Sequence, residues 1–143
     1  ITGLYTVLAD GDDAQDPVVD SARAILDGHV VLSRELAQRG HYPAIDVPAS
    51  LSRVMDDLVT SEQAESAYRL RALIAAREDS RDLVLMGAYR TGADQSLDTA
   101  LALSDQLDAF LTQPRGEPVT LSQSKTALLE LAAAATRRPD DAG

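Results

Sequence analysis

The sequence predicts an α/β segment followed by an all-α one. Three observations predict it. Over residues 1–57, short runs rich in β-formers alternate with helix-forming stretches, set apart by Gly, Pro and Asp. From about residue 58 onward the apolar residues recur at helical spacing instead. Two Thr-x-x-Gln capping boxes, Thr60–Gln63 and Thr120–Gln123, also fall only in the second part. The expected division is therefore 1–57 and 58–143.

The elements follow in order. "LYTVLA", residues 4–9, reads as a buried strand. The chain opens at Ile1 without a Met and runs directly into this strand, which reads as a cut into the middle of a domain. "DGDDAQDP" is a loop. Asp16 then serves as an N-cap with Pro17 in the first turn of a helix that Gly28 stops. "HVVLS" is a second strand, and Ser33 caps a brief helix, "RELAQR", closed by Gly40. "PAIDV" is a third strand.

Beyond Thr60 a long helix carries Ala67, Leu70, Leu73, Ile74 and later Leu83 near one face, until Gly87 and "YRTGAD" break it. Asp94 caps a further helix with Leu97, Leu101, Leu107 and Leu111. "TQPRGEP" connects to a last helix, "ALLELAAAA", and "RRPDDAG" should fray. No internal repeat is visible.

Composition excludes several classes. The formal net charge is −10, from 13 basic and 23 acidic residues. That sign opposes a phosphate backbone or an anionic membrane over most of the surface. There is no cysteine, so disulfides, thiol chemistry and Cys-ligated zinc are excluded. No apolar run approaches the roughly 18 residues of a membrane span, and no signal-peptide pattern opens the chain. The expectation is a soluble cytoplasmic protein with a core of Leu, Val, Ile and Ala, since aromatics are few.

Few residues suggest chemistry. Asp10, Asp12, Asp13 and Asp16 cluster in seven positions, as a solvated turn, a protein-contacting loop or a cation site would require. The cluster lacks the glutamate of an EF-hand. His29 and His41 have no zinc spacing and no triad order, so neither is expected to be catalytic, and no metal site is assigned. Glu62, Glu65 and Glu78 read as a solvated helix face. Two residues of "GHYPAIDVPASLSRVM" remain. Tyr42, followed by Pro43, is either a rigid plate able to stack on a purine or a half-buried core ring. Arg53, after the small residues of "ASLS", is either a phosphate contact or a surface or capping arginine.

Read together, these words carry a resemblance. "YTVLADGDD", "ILDGHVVLSRELAQRGHYPAIDV" and "SLSRVM" resemble the type III secretion ATPases, the flagellar export ATPase most closely, with the injectisome ATPase beside it. "RLRALIAAREDSRDLVLMGAYRTGAD" and "LDAFLTQ" resemble the helical C-terminal domain of the same family, which is related to the α and β subunits of rotary F-type ATP synthase. The resemblance spans about four fifths of the chain.

It implies the end of a RecA-like P-loop ATPase core plus a C-terminal helical domain. It implies that Tyr42 stacks on adenine and that Arg53 is an arginine finger acting in trans in a homohexameric ring. It further implies that Asp12, Asp13 and Asp16 face a central stalk. The full-length enzyme would hydrolyse ATP with Mg²⁺, and would release and unfold export substrates. Its other partners would be export chaperones and the export gate, at the inner face of the bacterial inner membrane. No nucleic acid is implied.

Two departures stand beside this. "PRGEPVTL" offers no aromatic to complete an adenine pocket, so no site is assigned there. No G-x-x-x-x-G-K-[ST] occurs in the 143 residues, so this segment alone should neither bind ATP tightly nor hydrolyse it. The alternatives are an injectisome rather than a flagellar ATPase, and a non-catalytic module that binds a stalk or chaperone. A synthase regulatory subunit is disfavoured by the wording of "HYPAIDVPASLSR".

Overall fold

A computed structural model describes residues 2–8 and 17–136 of the chain. The first helix, α1 (Pro17–Ile25), leads through a bend to strand β1 (Gly28–Leu32). Helix α2 (Arg34–Gln38) follows, then strand β2 (Ile45–Ser52) and a single turn, α3 (Met55–Leu58). The rest is helical: α4 (Ser61–Asp79), α5 (Arg81–Leu85), α6 (Gln95–Ala102), α7 (Ser104–Leu111) and α8 (Leu121–Ala134).

The caps form where side-chain chemistry demands them. Ser33 accepts from Leu36 N at the start of α2. Thr60 and Thr120 each accept from the backbone N–H three residues on, and Gln63 and Gln123 reach back to the cap backbone, so both capping boxes close. Asp94 takes Ser96 N at 2.8 Å and Leu97 N at 3.1 Å, satisfying two orphan donors of α6.

Four expectations need correction. Residues 4–8 form no strand: they carry no regular structure, and Leu4 and Leu8 are almost fully exposed. A strand exists only in a ladder, and among the described residues no other backbone pairs with this run. Gly28 does not cap α1, which ends at Ile25. It opens β1 instead, where a Cβ would lie 2.6 Å from Leu51 O, so glycine allows the two backbones to approach. Leu83 sits on the separate helix α5, and Leu97, Leu101, Leu107 and Leu111 are shared between α6 and α7. The break falls at Leu103, whose backbone (φ −99°, ψ 10°) leaves the helical region. Finally, the small residues of "ASLS" suggest a tight loop before Arg53, but they are part of β2.

The core lies in the helical part. Leu70, Leu73 and Ile74 of α4 are buried together with Ala100 of α6, Leu107 of α7, and Leu131 and Ala132 of α8. The first three stand at i, i+3 and i+4, so one stripe of α4 meets α6, α7 and α8. Glu62, Glu65 and Glu78 are exposed on the same helix, as expected. Arg77 of α4 adds a polar fastening to α7, donating to Asp108 Oδ1 at 2.9 Å and to Ser104 Oγ at 3.1 Å.

The turn before α6 is held by hydrogen bonds. Tyr89 donates its phenol to Asp98 Oδ1 at 2.8 Å, and Asp98 Oδ2 accepts from Gly92 N at 2.7 Å. Burial, and then the bond to Asp98, push the Tyr89 phenol above its ordinary range.

Two predictions follow from this packing. Leu107 is fully buried, so Leu107→Ala should destabilise the chain by about 2–5 kcal/mol in urea unfolding. For Tyr89, the raised folded-state value means its proton stabilises the fold below the ordinary phenol range and ceases to do so as pH rises through the folded value. Wild type should therefore lose stability relative to Tyr89→Phe at alkaline pH, and parallel stability curves for the two would contradict this.

Candidate functional site

Tyr42 and Arg53 flank β2, and the geometry of that strand determines how each is presented. β2 pairs antiparallel with β1, with Leu32 opposite Ile45, Val31 opposite Asp46, His29 opposite Leu51 and Gly28 opposite Ser52. Between the two middle pairs, β1 advances two residues while β2 advances five. The surplus forms a bulge at Val47–Ser50. Pro48, which has no N–H to give a ladder, sits inside it.

The bulge satisfies its own polar groups. Ser50 Oγ accepts from Val31 N at 2.9 Å, in place of a ladder carbonyl, and donates to Asp46 O at 2.5 Å. Ala49 N donates to Asp46 Oδ1 at 2.9 Å. His29 Nε2 lies 3.2 Å from Ala49 O, so that ring is engaged within the hairpin. Arg71 of α4 donates to Pro48 O at 3.2 Å and also to Ser50 O. Val47 points the other way and packs on the helical core.

Tyr42 stands in the turn before β2, on a cis bond to Pro43, with its side chain half exposed. Its carbonyl accepts from Gln113 N at 2.9 Å, just beyond the end of α7. Arg53 directly follows β2 and is exposed. Its backbone N–H donates to Asp27 O at 2.8 Å, while its guanidinium makes only a long 3.4 Å contact with Arg23 O. Among the described residues no carboxylate pairs with it. Asp12, Asp13 and Asp16 lie outside the described residues.

The structure thus places the two candidates at opposite ends of one strand and does not bring them together. Nor does either line the main cavity, of about 600 Å³, at the junction of α2, β2, α4 and α7. Glu35 is one of its charged lining residues, paired with Arg39 of its own helix and, at 2.9 Å, with Arg81 of α5. Arg71, Ser50 and Gln113 were not legible as site residues in the sequence. Pro48 within a strand pattern was the available sign of a bulge.

A two-stranded hairpin leads into a helical bundle, and the family and structural matches make this the end of a RecA-like ATPase core followed by a C-terminal helical domain. The family model for the T3SS EscN ATPase C-terminal domain matches residues 59–130, and that for the ATP synthase alpha/beta family nucleotide-binding domain matches residues 1–52. The chain belongs to the type III secretion ATPase family. The flagellum-specific ATP synthase of Salmonella typhimurium is 55% identical over 113 residues, covering 79% of this chain and 25% of that protein.

The assembled ATPase EscN of the enteropathogenic E. coli type III secretion system superposes with a TM-score of 0.83 at 38% identity, over 90% of this chain and 31% of that one. EscN in complex with its central stalk EscO superposes with a TM-score of 0.76 at 36% identity, over 81% of this chain and 29% of that one. The chain therefore spans between a quarter and a third of the length of these relatives.

Proposed function

We propose that these residues are the C-terminal portion of the ATPase that energises type III protein export, most closely the flagellar kind. The full-length protein hydrolyses ATP in a homohexameric ring to release and unfold export substrates. The observation that carries this reading is the placement of Tyr42 and Arg53 within a family-matched segment. One ring and one guanidinium are exposed at the two ends of a strand whose own polar groups are satisfied.

The exposed residues fit a nucleotide. A ring stiffened by the following proline suits stacking on adenine. A guanidinium that meets no carboxylate among the described residues suits a phosphate on a neighbouring subunit, where it would stabilise charge that develops during phosphoryl transfer. Among the described residues no cluster of His, Cys, Asp or Glu could hold a metal ion. The 143 residues also contain no phosphate-cradling Gly-rich loop. Hydrolysis is thus assigned to a polypeptide that carries such a loop together with these residues, and this segment alone would be inactive.

Residues 1–57 would finish the ATPase core, and 58–143 would form the helical domain. Asp12, Asp13 and Asp16 would face a central stalk, in keeping with the complex that EscN forms with EscO. No helix among the described residues is long and apolar enough to cross a membrane. The proposed location is the cytoplasm at the inner face of the bacterial inner membrane, with membrane association only through the export gate; export chaperones and substrates are the further partners.

Two substitutions in the full-length protein test the assignments. Arg53→Ala should remove most turnover, by about 10³-fold or more, while sparing ATP binding. Normal turnover would return Arg53 to the surface. Tyr42→Ala should chiefly weaken nucleotide affinity, by about 1–3 kcal/mol in equilibrium titration. An unchanged affinity would make Tyr42 a structural ring.

A further inference from the structure

We propose that Arg71 is the positioning residue for Arg53, so that the helical part of the chain sets the aim of the guanidinium. The inference rests on the reading of Arg53 as an arginine finger. It starts from the bulge. At the bulge the Asp46 carbonyl, the last one paired before it, accepts from Ser50 Oγ, and the Ala49 carbonyl lies 3.2 Å from His29 Nε2, both within the hairpin. The carbonyls of Pro48 and Ser50 depend instead on one guanidinium from α4.

Arg71 suits that task. Its guanidinium is planar, always charged and able to span two carbonyls, and among the described residues it has no salt bridge to divert it. It stands on the helix that carries Leu70, Leu73 and Ile74, so its backbone is held by the core of the helical part. Ser50 lies three residues before Arg53. Among the described residues the Arg53 side chain makes only a 3.4 Å contact, while its backbone N–H bonds Asp27 O at 2.8 Å. Leu51 and Ser52, paired with His29 and Gly28, carry the strand from the bulge to Arg53, so the seat of the bulge bears on where the guanidinium points, and Arg71 holds that seat from outside the hairpin.

A loosened finger should lower kcat without altering nucleotide binding, since misplacement by about 1 Å can cost about 10²-fold in rate. The test is a double-mutant cycle in the full-length assembled enzyme with Arg71→Ala, Arg53→Ala and the pair. Arg71→Ala should lower kcat by about 10- to 100-fold, leave KM for ATP within about twofold, and have no further effect in the Arg53→Ala background. Arg71→Lys keeps the charge but has a shorter reach and no planar Nη2 to place its two N–H bonds toward Pro48 O and Ser50 O, so it should recover only part of the rate.

A kcat within twofold of wild type in Arg71→Ala, or an equal loss from Arg71→Ala when Arg53 is already absent, would overturn the inference. If Arg71→Ala fails to assemble, the same cycle run with Arg71→Lys decides between these outcomes. Normal turnover in Arg53→Ala alone would be a separate result, removing the finger reading itself.

Discussion

The bulge at Val47–Ser50 is the constraint on which the arrangement depends. A regular ladder would pair β2 with β1 residue for residue and leave both faces of the hairpin alike. The three surplus residues instead push Val47 into the helical core and turn the carbonyls of Pro48 and Ser50 toward α4. Buried apolar area and a charge-assisted pair of hydrogen bonds thus act at the same few residues. The strand is seated on the helix, and its two ends are presented outward from that seat.

A second fastening acts at the other end. Gln113, beyond α7, donates its backbone N–H to the carbonyl of Tyr42. α4 and α7 are themselves joined through Arg77, Asp108 and Ser104, and through the core around Leu107. The same helical framework therefore holds both ends of the segment from Tyr42 to Arg53. In the proposed ring, a shift of these helices would reach the base-stacking residue and the in-trans arginine together.

Local chemistry was legible in the sequence. Ser33, Thr60, Asp94 and Thr120 were readable as caps because a cap is a contract between residues two or three apart, and all four bonds are present. The stripe Leu70, Leu73 and Ile74 was readable for the same reason. The failures were non-local. "LYTVLA" has strand chemistry, but a strand is defined by its neighbours. The break between α6 and α7 falls at a leucine, which carries no breaker signal.

The site was half legible. Tyr42 and Arg53 could be singled out by residue type and family wording. Arg71 could not, because it meets Pro48 and Ser50 from more than 20 residues away. Gln113 acts through its backbone, so its side chain gives no signal at all.

The central claim is that one strand serves two nucleotides, through Tyr42 at its start and Arg53 at its end. The most direct measurement is a structure of the full-length assembled enzyme with a non-hydrolysable ATP analogue. The account predicts that the Tyr42 ring lies on the base bound by its own subunit and that the Arg53 guanidinium lies within hydrogen-bond distance of the terminal phosphate bound by the adjacent one. Both residues on the same nucleotide, or Arg53 turned to solvent while Pro48 and Ser50 keep their bonds to Arg71, would contradict it.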